Sequence, residues 1–269
     1  MLSRVCAEGV APAEAFGYLG YAEFSRGQLG AAELALRNGL AIAPTDLTMS
    51  FYLARVLESI ARQVPAMDEP ERAAAAMAAA ADAYCNAGDI AWNRGDYRSA
   101  GHDALRALHM ESGNLRALYL AVNSFRALQR YKLALQVVER FLSKQPSHPE
   151  ALGMKGVLLF ELGNIAGSVE VLRAVPVNSP DLAWVRAQLA VSLSNAPGAS
   201  LDDALKAARE AVDLAPSNPF AYRILGILEV LAEVYAQAAA TLTRARELGD
   251  SSEAVALELG MGTGVQRPM

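Results

Sequence analysis

A unit of about thirty-four residues returns along most of this chain, and that repetition limits its fold more than any other feature. Laid over residues 81–114, residues 13–46 put Phe16, Leu19, Gly20, Gly27, Leu29, Ala32, Gly39 and Pro44 on Tyr84, Ala87, Gly88, Gly95, Tyr97, Ala100, Ala107 and Ser112. The offset is 68 throughout, twice 34. A repeat of this length is one supersecondary unit that cannot bury its apolar face alone, so neighbours must stack to make a core.

Within the first unit the apolar and small residues follow helical spacing. Phe16, Leu19, Gly20 and Glu23 stand at i, i+3, i+4 and i+7, with only Glu23 out of character. Ala32, Leu36, Gly39 and Leu40 stand at i, i+4, i+7 and i+8. Two amphipathic helices are predicted. Gly27 supplies the permissive backbone of the turn between them. Pro44 stops the second helix, and Thr45 or Asp46 caps the next. Gly20 and Ala32 allow a close approach around which Phe16 and Leu36 interdigitate.

The pattern returns through Leu118, Ala121, Phe125, Tyr131, Ala134, Val138 and Pro146, then through Leu152, Gly156, Gly163, Ile165, Ser168, Leu172 and Pro180. It returns once more through Tyr222, Leu225, Gly226, Tyr235, Ala238, Leu242 and Ala245, with Glu233 where the turn glycine is expected. In this series the chain resembles the tetratricopeptide repeat family over roughly residues 13–252. The resemblance implies an all-α fold, a right-handed superhelical solenoid of antiparallel helix pairs with about seven repeats. The units are expected near 13–46, 47–80, 81–114, 115–148, 149–180, 181–218 and 219–252. Residues 1–12 would be a leader, 253–260 a capping helix begun by Asp250, and 261–269 a flexible tail.

Two units depart from the pattern. Residues 47–80 have a good first helix through Leu53, Ala54 and Leu57, but Pro65 and Pro70 interrupt the second. A proline inside a helix costs about 3 kcal/mol, so this half is short and broken or partly loop. A new helix can start with Asp68 as cap and Pro70 in its first turn. It would run through the alanine-rich residues 73–81 and merge with the first helix of the next unit. In residues 181–218 the first helix runs through Trp184, Ala187 and Val191 and the second through Ala204, Ala208 and Ala211, across a lengthened turn at residues 195–200.

A net charge of −5 argues against nucleic acid as a main partner, which would favour a basic stripe. Cys6 and Cys85 are too few for a disulfide framework. No run of eighteen apolar residues predicts membrane insertion, and the N-terminal residues lack a secretory signal. A soluble protein of the cytoplasm is expected, with the periplasm open if the natural chain begins upstream. His102 and His109 lie seven residues apart, about 10 Å along a helix, too far to share a zinc ion. No catalytic or phosphate-cradling motif is found. Gly260-Met-Gly262-Thr-Gly264 follows a helix where a nucleotide loop would follow a strand. No catalytic residue, cofactor or metal is assigned, and the chain is expected not to be an enzyme.

In the tetratricopeptide family the exposed face of each first helix lines a concave groove that holds ligands. Carried onto this chain, the resemblance implies a groove presenting Tyr21, Phe24, Phe51, Arg55, Trp92, Tyr119, Asn123, Arg126, Phe160 and Arg223, with Cys85, Asp89, Val157, Val185, Leu189 and Ile227 beside them. The carboxylate clamp of chaperone-binding members is not matched: Gly17, Tyr21, Phe51, Cys85 and Asp89 leave only Arg55 in character. Asn86 and Asn123 are isolated and form no asparagine ladder. An apolar, aromatic groove with scattered Arg suits an amphipathic helix or an extended apolar peptide. The expected function is a protein-binding scaffold or adaptor in assembly of a bacterial pilus, secretion or envelope complex. Two alternatives are the repeat region of a larger enzyme such as a glycosyltransferase, and a self-associating scaffold that docks on a second copy.

Overall fold

The computed structural model describes residues 12–64, 69–198 and 200–251. Several sequence expectations lie outside them: the leader except for Pro12, Cys6 within it, the Asp68 cap, the capping helix and tail after residue 252, and the glycine-rich stretch 260–264. The chain divides into two compact units, residues 1–144 and residues 145–269. Among the described residues all regular structure is helical.

The first unit holds α1 (Ala13–Ser25), α2 (Leu29–Ile42), α3 (Leu47–Gln63), α4 (Pro70–Asn93), α5 (Tyr97–Met110), α6 (Leu115–Ala127) and α7 (Tyr131–Leu142). Helix starts are fixed by short polar side chains. Asp46 Oδ1 accepts from the Met49 amide at 2.7 Å, Asp96 from Ser99 at 3.1 Å, and Asn114 from Ala117 at 2.9 Å. Each satisfies an amide that the helix leaves without a partner. The α1–α2 turn uses Gly27 at φ +76°, as its sequence predicts.

Small residues set the helix spacing. A Cβ on Gly20 would lie 2.5 Å from Leu36 Cγ, so α1 and α2 interlock there. In the second unit Gly156 is matched in the same way by Leu172, and Gly226 by Leu242. In all three the leucine follows the glycine by sixteen residues (36 − 20, 172 − 156, 242 − 226). Sixteen after Gly88 stands Ala104, too small for the role, and Leu120 of α6 fills the space at 2.6 Å instead.

The second unit holds α8 (Pro149–Glu161), α9 (Ile165–Ala174), α10 (Ala183–Ser194), α11 (Leu201–Leu214), α12 (Pro219–Leu231) and α13 (Tyr235–Glu247), with a short 3-10 turn at Pro180–Leu182. Ala187, Ala204, Ala208 and Ala211 join its core, as their spacing predicts. Ser168 Oγ donates to the Gly156 carbonyl at 2.7 Å and sits 2.9 Å from Ser192 Oγ, joining α8, α9 and α10 through buried hydroxyls. At the turn before α13, Glu233 takes the left-handed conformation, φ +60°, that glycine adopts elsewhere.

Residues 47–80 hold no separate second helix among the described elements, as their prolines and alanine run predict. α3 ends at Gln63, and the alanine-rich segment runs into the next first helix as one element of 24 residues, α4. Pro70 occupies its first turn, where a missing N–H costs nothing. Glu69 takes the cap position without capping the helix amides, its carboxylate instead accepting from Arg72 at 2.8 Å. The alanines carry the highest helix propensity, so nothing stops the helix before Asn93. Thirteen α-helices therefore make six pairs plus α3 among the described residues.

The lost helix reorders the first unit. α3 and α4 are consecutive and antiparallel: Arg94, just past the end of α4, donates to the Thr45 carbonyl before α3. α5 packs on α4 in turn. Beyond consecutive neighbours, α1 touches α3 and α4 touches α6. The inner row thus passes from odd-numbered to even-numbered helices at the junction. α3 and α5 end up on the same side of α4.

Candidate functional site

The row change decides where the sequence-predicted groove residues lie. Tyr21, Phe24, Phe51 and Arg55 belong to the odd row, on α1 and α3. Trp92, Tyr119, Asn123 and Arg126 belong to α4 and α6, in the even row, while Phe160 and Arg223 stand in the second unit. Three neighbours expected beside the groove are core residues instead: Cys85, Val185 and Leu189 are buried. α10 is apolar around most of its circumference and takes Val185 and Leu189 into the core, while Cys85 joins the cluster shared by α3, α4 and α6.

Several predicted side chains are engaged in packing or pairing. Trp92 rests on Tyr97 across its own turn, ring centroids 4.7 Å apart. Arg223 Nε lies 3.0 Å from Asp250 Oδ2 and its guanidinium stands 5.1 Å from the Phe220 ring. Asp89 pairs with Arg116, which also donates to Asn86 at 2.8 Å, so α4 and α6 are tied beside that asparagine. Tyr119, Phe160 and Arg126 are half-buried and Asn123 is exposed.

The four odd-row residues converge. Tyr21, Phe24 and Phe51 meet edge-on around Tyr52, with ring centroids 5.1, 6.5 and 5.9 Å from its ring. Arg55 places its guanidinium 5.4 Å from the Phe24 ring. Edge-to-face pairs are favoured by the ring quadrupoles, and the cation adds attraction at the ring face. Tyr52, the centre of the cluster, is absent from the sequence prediction because it lies one residue off the stripe of Phe51 and Arg55. Tyr18 and Tyr21 remain 69% and 51% exposed, an amount of ring surface that folding leaves in water. With Tyr52 they border a depression of about 360 Å³ between α1 and α3.

A larger cleft of about 820 Å³ opens between α3 and α5, with Phe51 and Tyr52 on one wall and Arg98, Leu105 and Arg106 on the other. An adjoining hollow of about 450 Å³ continues it toward Arg62 and His109. Two of its lining residues, Glu58 and Arg106, belong to a polar chain across three helices. Tyr84 of α4 donates to Glu58 of α3, and Arg106 of α5 donates to Tyr84 Oη at 3.1 Å. The Arg106 guanidinium also lies 5.4 Å from the Phe51 ring and 5.5 Å from the Tyr84 ring.

Burial shapes the titratable groups here. Tyr84 is pushed up to about 12, first by loss of water and then by its bond to the Glu58 carboxylate. Burial raises the Cys85 thiol to about 11, which keeps it protonated and unreactive. Asp103, on the cleft side of α5, is raised to about 6 by burial, partly opposed by Arg106. Among the described residues no group of His, Cys, Asp or Glu is arranged to hold a metal ion, and no helix is long and apolar enough to cross a membrane.

Residues 85–137 and 119–183 match the Tetratricopeptide repeat family. No curated protein matches the chain. Among solved structures, a thermophilic TPR protein of Thermus thermophilus has a TM-score of 0.57 at 16% identity, covering 68% of this chain and 98% of that one. A tetratricopeptide repeat protein from Parabacteroides merdae has a TM-score of 0.56 at 16% identity, covering 94% and 99%. Yeast Tom70 has a TM-score of 0.57 at 13% identity, covering 93% of this chain and 53% of that one. These likenesses establish a shared fold.

Proposed function

We propose that this chain, a tetratricopeptide repeat protein, is a non-catalytic scaffold that captures a peptide or helix of a protein partner on the aromatic and arginine surface of its first unit. The observation that carries this reading is the convergence of Tyr21, Phe24 and Phe51 on Tyr52, with Arg55 above and two tyrosines left in water. Rings held by their neighbours lose little freedom on binding, which is why Tyr and Arg anchor interfaces. The setting we propose is assembly of a bacterial pilus, secretion or envelope complex; this rests on the family resemblance and the alanine-rich composition alone.

The test is capture from the native source with the intact chain and a Tyr18→Ala/Tyr21→Ala variant. Both side chains are exposed, so helical circular dichroism should be unchanged while partner capture falls at least tenfold. Equal capture by both proteins would remove the surface from consideration.

A further inference from the structure

We infer that the cleft between α3 and α5 is a second docking site, one that takes an acidic peptide segment carrying bulky apolar side chains. The inference rests on the scaffold reading above and adds the chemistry of the partner.

The cleft exists because the repeat is broken. With the second helix of residues 47–80 missing, α3 and α5 both pack on α4 and stand apart from each other. The opening is walled by apolar groups, chiefly Phe51, Leu105, Phe125 and Leu133. Around these stand Arg98, Arg106 and Arg130, with Arg55 in the adjoining hollow. Among the described residues none of the four has a carboxylate at ion-pair distance. On a chain of net charge −5 that is a local reversal of sign. The two carboxylates at the cleft offset it only in part. Glu58 is engaged by Arg62 and Tyr84. Asp103, buried on α5, acts on Arg106 and leaves Arg55, Arg98 and Arg130 uncompensated at ion-pair distance.

Arg106 is the best-prepared recognition group. The Phe51 and Tyr84 rings both lie against its guanidinium, and the Tyr84 hydroxyl takes one of its five N–H donors. A guanidinium fixed by rings presents its remaining donors with little further loss of freedom, and carboxylates are its natural bidentate partners. Phe51, Leu105 and Leu133 offer apolar surface for side chains between those carboxylates. Nucleic acid fits less well, because the overall negative charge repels a polyanion.

The test is selection of a random twelve-residue peptide library on the full-length protein, followed by fluorescence anisotropy with the enriched peptides resynthesised. The expected outcome is enrichment of Asp or Glu next to Phe, Leu or Trp. Affinity should fall at least tenfold in an Arg98→Glu/Arg130→Glu variant and decline as salt is raised. Both side chains are exposed, so the variant should keep its melting temperature. Enriched peptides without net negative charge, peptides that bind the variant equally well, or an oligonucleotide that binds and is lost in the variant would each overturn the inference. Neutral peptides that lose affinity only in the Tyr18→Ala/Tyr21→Ala variant would leave the scaffold reading standing while this one falls. A library that enriches nothing would count against both.

Discussion

The α8–α9 pair and the α3–α4 pair are both antiparallel and both close, yet they are built on different terms. In α8–α9 the repeat is regular: Gly156 receives Leu172, and the Ser168 hydroxyl satisfies the Gly156 carbonyl. In α3–α4 the repeat has lost a helix, and the approach is made by alanines, with Ala54 against Ala80, Ala81 and the buried Tyr84. The regular pair spends its large side chains inside. The irregular one leaves Tyr52 and Phe51 at the edge of an opening, facing Arg106 of α5. Regularity in this chain builds core; the break in regularity makes a surface with chemistry on it.

The largest expected effect breaks the regular half of this comparison. Gly156→Leu would drive an isobutyl group into Leu172, where even one added carbon has no room. A loss of about 3 kcal/mol is expected, the upper end for overpacking, read as a lowered denaturation midpoint with an unchanged slope. An unaltered midpoint would mean that the glycine–leucine interlock does not set the α8–α9 spacing.

A smaller effect sharpens the irregular half. Asp103 is raised to about 6 in the folded protein, chiefly by burial, above its ordinary value of 3.8. A raised folded-state pKa means that its protonated form favours folding. That contribution is complete below the unfolded value and is lost as pH rises through about 6. Asp103→Asn should therefore stabilise the protein by about 1–2 kcal/mol at pH 7.5 and have almost no effect at pH 4. Parallel stability curves for the two proteins across that range would show that the carboxyl is solvated.

Much of the fold is legible in the sequence. Gly27, Pro44 and Asp46 mark their turn, stop and cap through local backbone chemistry. Gly20 and Leu36 mark a contact through size alone. The site is less legible, because it depends on a count of helices that local signals do not fix. Pro65 and Pro70 announce a disturbance, but not that one helix fewer moves α4 and α6 into the other row. Spacing alone therefore groups Trp92 and Tyr119 with Phe51, and passes over Tyr52, Arg98 and Arg130. Arg98 and Arg130 sit at or just before the start of second helices, positions that the repeat pattern leaves to solvent; only the juxtaposition of α3 and α5 gives them a shared cleft. Cys85, Val185 and Leu189 mislead for a simpler reason: they lie on helices buried on more than one side.

The central claim, that a partner segment docks on the odd-row face of the first unit, is tested most directly by hydrogen–deuterium exchange of the full chain with and without an enriched peptide. Slowed exchange in residues 13–25, 47–63 and 97–110, with residues 149–174 unchanged, is the predicted result. Protection confined to residues 149–251, or none anywhere, would contradict it.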